Sequence, residues 1–242
     1  MPSKPLTGRV PPDAIRLLSL PRLDPGLLRR YAALEDLSGA VSDALDQLGL
    51  QGAVPASALA PTLPDRRLVG QAVTVRNVPR ADSVAAAAAS GKGMMGEHEA
   101  YNLAEPGDVV VIEGLPGVSN LGGQSAAVAS RSGCAGAIVD GGHRDPDASR
   151  ELGFPMVARP HAHHRQVAAA HYRDQRHGPY REYAGPGRRP VVADDAGVVF
   201  VPHAQALAVL EAAERVHAGD ARQKADIARG VDLATLAATR YK

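Results

Sequence analysis

Two short stretches hold the residues best suited to chemistry. In Leu121-Gly122-Gly123-Gln124-Ser125, two glycines precede a run with helical spacing. Glycine lets a backbone approach a ligand closely, and the free amides of a following helix form a site for an anion such as a carboxylate. A tight strand-to-helix turn would use the same glycines. In Asp140-Gly141-Gly142-His143-Arg144-Asp145-Pro146, an arginine stands beside an aspartate. Arg144 offers a planar fork for a carboxylate, and Asp145 a hard oxygen for a divalent cation; one carboxylate plus waters suits magnesium better than zinc. Asp145 before Pro146 also reads as an N-cap followed by proline at the first helical position.

The surrounding pattern explains why both stretches should face the same way. Val109 to Ile112 and Ala135 to Val139 are short apolar runs that read as buried strands. Gln124 to Arg131 and Asp145 to Leu152 read as the helices that follow them, and Leu68 to Val75 and Phe154 to Ala158 as further strands. Such alternation implies an α/β fold with parallel units, in which ligands bind at the loops beyond the strand ends. Upstream, two helices fit Leu27 to Leu48, with Ser38 or Ser42 as a cap, Asp43 in the first turn and Gly49 as the stop. An Ala-rich helix opens at Asp82 and ends near Gly91. Val191 to Ala193 and Val198 to Val201 flank a hairpin turn at Asp194-Asp195-Ala196-Gly197, and helical spacing returns over Ala204 to Val216 and Ala225 to Ala238. Residues 1–26 read as an irregular arm packing on a neighbour, 27–217 as the main domain and 218–242 as a helical extension.

Composition narrows the function classes. Of 242 residues 45% are hydrophobic but only 3% aromatic, so Ala, Val, Leu and Ile must build the core. Lysine and arginine total 27 against 26 acids, which gives no general attraction to DNA or to an anionic membrane. The single cysteine, Cys134, excludes an internal disulfide and a thiolate metal site. No segment reads as a leader or a membrane span, so the expected location is cytoplasmic.

Gly123, followed by twenty residues and Arg144-Asp145, resembles the signature of the RraA-like family, which includes class II 4-hydroxy-4-methyl-2-oxoglutarate/4-carboxy-4-hydroxy-2-oxoadipate aldolases. Similar landmarks run in order from Ser42-Asp43-Ala44-Leu45 through Gly70 to Val75, Pro106 to Val111, Glu151 to Pro155 and Ala193 to Val198. The resemblance covers about residues 34–215. It implies an α/β/β/α swivelling-domain sandwich, assembled as a homotrimer or hexamer. It also implies that Asp145 ligates Mg2+ or Mn2+, that Arg144 holds a small 2-oxo acid, and that the amides of Gly123, Gln124 and Ser125 receive its carboxylate. Glu113 would organise a water, and Asp194 or Asp195 would be the acid supplied by a neighbouring subunit. The implied activity is a pyruvate-forming lyase with oxaloacetate decarboxylase side activity through a metal-stabilised enolate. The alternatives are a regulator that binds a ribonuclease and a diverged metal-dependent enzyme.

The four lysines lie outside both loops, which removes a lysine-imine mechanism. Two departures from the family pattern stand out. Ala148 replaces an acid three residues after Asp145, with Asp147 one position early. Residues 159–189 form a basic excursion holding five histidines (His161, His163, His164, His171, His177), which reads as a solvated loop, a pocket rim or a second metal site.

Overall fold

The computed structural model describes residues 4–8, 10–15, 21–78, 84–89, 96–115, 119–159 and 188–242. The histidines of the basic excursion, Met94, Met95 and the expected helix start at Asp82 lie outside these residues.

Elements in chain order are α1 (Pro25–Ala32), α2 (Leu37–Gln47), β1 (Ala53–Pro55), β2 (Ala60–Pro61), β3 (Leu68–Arg76), α3 (Val84–Ala89), α4 (Gly96–Leu103), β4 (Asp108–Glu113) and β5 (Ser119–Leu121). They continue with α5 (Gly123–Arg131), β6 (Gly136–Asp140), β7 (Gly142–His143), α6 (Pro146–Glu151), β8 (Met156–Ala158), β9 (Pro190–Asp194), β10 (Gly197–Phe200), α7 (Ala206–Ala228) and α8 (Leu233–Ala238).

Eight strands form one mixed sheet in the order β1-β10-β9-β3-β4-β6-β8-β2, with β3, β4, β6 and β8 parallel. Laid flat, eight strands would span roughly 34 Å at the usual spacing. The two edge strands are consecutive in sequence, however, and the chain between Pro55 and Ala60 reaches at most about 18 Å. The sheet therefore curls until its two halves face each other. Between the halves lies an inner core of Val54, Leu68, Val109, Val111, Ile138, Val157, Val198 and Phe200. Outside β3, β4 and β6, helices α4 and α5 pack through Tyr101, Ala104, Ala126 and Ala129. Outside β9 and β10, helices α1, α2 and α7 pack through Tyr31, Leu37, Leu45, Val209 and Leu210. Helix, sheet half, sheet half, helix is the α/β/β/α layering. Alanines at the helix contacts allow close approach to the strands, which is how a core with few aromatics fills its volume.

Most strands and helices fall where the pattern places them, and the differences have physical causes. The expected break between two C-terminal helices is displaced: the chain breaks at 229–232, before α8, and α7 runs unbroken for 23 residues through 217–224. Its late turns bury nothing beyond Gly219 and carry charges instead, so hydrophobic spacing there is weak. Neither Ser38 nor Ser42 caps α2. The helix begins one residue before Ser38, and the cap is the Asp194 carboxylate from the β9 end, which accepts from Ser38 N–H at 2.8 Å and from its hydroxyl at 2.5 Å. Asp43 instead pairs with Lys242, whose Nζ lies 2.7 Å away. Gly49 ends α2 at φ 65°, where glycine is unstrained.

The N-terminal arm packs on its own chain. Val10 is buried in the core beneath α4, Thr7 donates to the buried Glu99 carboxylate, and Lys4 donates to Ala104 O at 2.7 Å. Arg22 pins the end of the arm with bonds of 2.8 and 3.2 Å to both oxygens of buried Asp108. Among the described residues, no helix is long and apolar enough to cross a membrane.

Two expectations follow. Arg22→Ala leaves Asp108 buried with only the Glu105 N–H as partner; chemical denaturation should show a loss of about 2 kcal/mol. Burial pushes the Cys134 thiol up to about 11, so its thiolate fraction at pH 8 is on the order of 0.1%. Native protein should resist alkylation at that pH and react only as it unfolds, whereas immediate labelling would contradict the burial.

Candidate functional site

Beyond the ends of β4 and β6, the chain builds a small parallel ribbon in which β5 pairs with β7. The N–H of Arg144 extends it, donating to Leu121 O at 3.0 Å. This ribbon brings the start of α5 against the turn into α6, and so joins the two loops singled out by their residue types.

Asp145 is the pivot of the arrangement. It caps α6 with φ 58° and ψ 49°, a left-handed conformation that aspartate tolerates better than most residues. Pro146 disfavours the right-handed alternative at the residue before it. The carboxylate turns back toward α5, where Oδ2 accepts the Gly123 N–H at 3.2 Å and lies 3.5 Å from Arg144 Nε. Oδ1 has no hydrogen-bond partner among the described residues. About half of the Asp145 side chain is exposed (51%), and 39% of Arg144.

Space is tight at Gly122 and excludes a side chain at Gly123. A Cβ on Gly122 would lie 3.0 Å from Arg144 Nε and 3.1 Å from Asp145 Oδ2, and one on Gly123 would lie 2.6 Å from the Ala148 Cβ. Ala148 thus sits directly over the first turn of α5. The amides of Gln124 and Ser125 have no acceptor among the described residues, as expected of a helix N-terminus. Of the three amides expected to meet a carboxylate, Gly123 is therefore already engaged by Asp145 and two remain open.

The other expected site residues lie apart from this cluster within one chain. Glu113 ends β4 on the inner face of the sheet, whereas α5 packs on the outer face. Its partner is Arg76, at 3.4 Å, and it has no hydrogen bond or ion pair to Arg144 or Asp145. It belongs to a row at the mouth of the curled sheet. Arg76, Glu113 and Asp140 are in register on adjacent strands, and Arg159 pairs with Asp140. Burial raises the Asp140 carboxyl above its ordinary value, with the Arg159 guanidinium opposing the shift. Asp194 and Asp195 sit at the opposite end, since Ala193 pairs with Leu68 at the start of β3 while Glu113 pairs with Arg76 at its finish. That separation is roughly 26 Å along the strand. Asp194 is occupied by Ser38 and the Ala196 N–H, and Asp195 accepts the Asp65 N–H at 3.0 Å.

His143 has a buried Nδ1 with no partner among the described residues. Burial first, and the Arg150 charge second, hold its ring below the ordinary imidazole range, so it is neutral at pH 7. Among the described residues there is no group of three or more His, Cys, Asp or Glu able to hold a metal.

One part of the site went unread in the sequence. Asn120, wholly buried on β5, takes the Leu115 N–H at 3.0 Å and returns a bond to Leu115 O at 3.2 Å. Asn77, at the end of β3, donates to the same Asn120 oxygen at 3.0 Å. The only available signal was a polar residue of low strand propensity inside a short strand.

The Gly123 contact generates a test. Gly123→Ala forces α5 and α6 apart against a backbone-fixed methyl and should cost about 1–3 kcal/mol in thermal or chemical unfolding. The double variant with Ala148→Gly should recover part of that loss.

A family profile described as RraA-like (Aldolase/RraA) matches residues 38–200. Among solved structures, Streptomyces coelicolor RraAS2, an unusual member of the RNase ES inhibitor RraA protein family, matches with a TM-score of 0.63 at 24% identity, covering 87% of this chain and 98% of that one. An uncharacterized protein from Pseudomonas syringae pv. tomato str. DC3000 matches with a TM-score of 0.66 at 22% identity, covering 90% and 99%. These two likenesses speak to the fold. The profile covers well over half of the sequence, including the Gly123 and Arg144-Asp145 loops, and the chain belongs to the RraA-like family.

Proposed function

We propose that this protein is a divalent-metal-dependent carbon-carbon lyase acting on a small 2-oxo acid and releasing pyruvate, with oxaloacetate decarboxylation as a side activity. The observation that carries this reading is the open Oδ1 of a half-exposed Asp145, set beside a guanidinium and two open helix amides.

The donor set fits a hard cation such as Mg2+. One carboxylate is available, no cluster of three or more His, Cys, Asp or Glu surrounds it among the described residues, and Mg2+ is commonly held by one or two carboxylates with water and substrate oxygens filling the rest. Asp145 would hold the cation, which when bound supplies a Lewis acid for the charge that develops on the substrate ketone. Arg144 binds the substrate carboxylate as a fork. The Gln124 and Ser125 amides share that negative charge at the positive end of α5, fixing the acid end while the bond beyond the ketone breaks. Gly122 keeps the backbone low enough for a ligand to lie over both charged groups.

Proton transfer falls to an acid from another copy of the chain in a homotrimer or hexamer. Asp195 suits that role better than Asp194, because it is exposed whereas both Asp194 oxygens are used at the start of α2. Glu113, turned inward onto Arg76, is not assigned the proton.

The RraA-like family holds both metal-dependent aldolases and ribonuclease inhibitors. Incubation with Mg2+ and oxaloacetate or 4-hydroxy-4-methyl-2-oxoglutarate, with pyruvate followed through lactate dehydrogenase, separates the two. Turnover should require the metal. Asp145→Asn, which keeps a residue tolerant of the left-handed backbone, should lower kcat/KM by at least about 100-fold with the fold intact. Absence of turnover in well-folded wild-type protein across both substrates and Mn2+ as well as Mg2+ would overturn the lyase reading and favour a binding role.

A further inference from the structure

We infer that Asn120 is a positioning residue for this site, acting through the loop that carries the α5 amides rather than by touching substrate. The activity arm of its test rests on the lyase reading; the structural arm does not.

The argument starts from the orientation of one buried amide. Leu115 presents both a donor and an acceptor to Asn120, so Oδ1 must face the Leu115 N–H and Nδ2 the Leu115 carbonyl. That orientation obliges Asn77 to offer its own Nδ2 at 3.0 Å, and its buried Oδ1 has no partner among the described residues. Asn77 is 3% exposed and Asn120 fully buried. The grip of Asn120 on Leu115 is what fixes this orientation of the two amides, since turning either one over would set two like groups against each other.

The surroundings are cut to fit this amide. A Cβ on Gly114 would lie 2.6 Å from the Asn120 amide, and one on Gly141 would lie 2.6 Å from its Nδ2. Asn120 therefore stands in the gap between the ends of β4 and β6 and is tied to the end of β3. One residue further on, Leu121 O receives the Arg144 N–H, and two beyond that is the Gly123 amide held by Asp145. The side chain thus references both halves of the site to three parallel strands. It adds a polar tie beside the packing of Leu121 and α5, where the chain leaving β4 and β6 otherwise runs through Gly114 and Gly141.

Asn120→Ala and Asn120→Ser test this in the full-length chain. Asn120→Ser keeps a small polar group that can accept or donate one bond without burying a charge, so it should fall between alanine and wild type and serves where alanine does not fold. Amide hydrogen exchange at Leu115, Gly123 and Arg144 should accelerate by about tenfold or more in Asn120→Ala while amides of the first half of α7 keep wild-type rates. With oxaloacetate and Mg2+, kcat/KM should drop by about 10- to 100-fold, the range expected when reacting groups shift by about an ångström, and inhibition by oxalate should weaken in parallel. Unchanged exchange at the three amides in both variants, or acceleration spread evenly through α7, would overturn the inference, as would full kcat/KM in both variants of an active enzyme. If the wild-type protein turns over neither substrate, the lyase reading falls and the exchange pattern alone decides the role of Asn120.

Discussion

The site depends on the backbone conformation of one residue. Asp145 stands at φ 58° immediately before a proline, and that twist aims its carboxylate back at the neighbouring helix start instead of down its own. A right-handed or extended Asp145 would send the side chain elsewhere and separate it from the Gly123 amide. The left-handed state costs on the order of 1–2 kcal/mol for most residues and less for aspartate. The Gly123 hydrogen bond and the β5–β7 ribbon hold it in place, and the proline disfavours the right-handed alternative. The packing of Gly122, Gly123 and Ala148 follows from this one turn, since each is small where the folded-back carboxylate or the α6 helix behind it would otherwise collide.

A second constraint is the curling of the sheet. Because β1 and β2 are separated by only four residues yet lie on opposite edges, the sheet has an inside and an outside, and strand alternation assigns every residue to one or the other. This is why Glu113 and Asp140 do not join Asp145 despite lying close in sequence to the site loops. Inward-pointing residues at the C-terminal ends of β3, β4 and β6 meet one another across the mouth as Arg76, Glu113 and Asp140, with Arg159 beyond. The helices α5 and α6, which follow β4 and β6 in the chain, lie on the outer side instead.

Much of the fold was legible in the sequence because β4, β6 and β9 are continuous apolar runs and α2 is strongly periodic, so local pattern and tertiary role agree. The short edge strands β1 and β2 were not, since two or three residues of ordinary composition become strands only when a long-range partner arrives. Of the candidate site, residue type and strand order marked the two loops, and the family resemblance paired Gly123 with Arg144-Asp145. The place of Glu113 was not, because strand residues alternate between faces and a sheet buried on both sides gives no polar face to read. Asp194 shows the same limit: two acids in a turn look alike, and only the distant Ser38 marks one of them as a helix cap.

Two of the arginine-aspartate pairs, Arg22–Asp108 and Arg144–Asp145, show how a structural contact differs from one open to a ligand. Arg22 grips both oxygens of Asp108 at 2.8 and 3.2 Å, and only 5% of the Asp108 side chain is exposed. Releasing that partner would strand a buried charge, so the pair is fixed. Arg144 instead approaches one Asp145 oxygen through Nε at 3.5 Å, with both side chains substantially in water. Such a pair is worth on the order of 0–1 kcal/mol, little enough for an incoming carboxylate or cation to replace either half. Were Arg144 bidentate on a buried Asp145, the two would neutralise each other permanently and offer a ligand nothing. The looseness of the contact leaves a cationic fork and an anionic oxygen side by side without cancelling, a requirement for any site that must hold a substrate anion and a metal cation together.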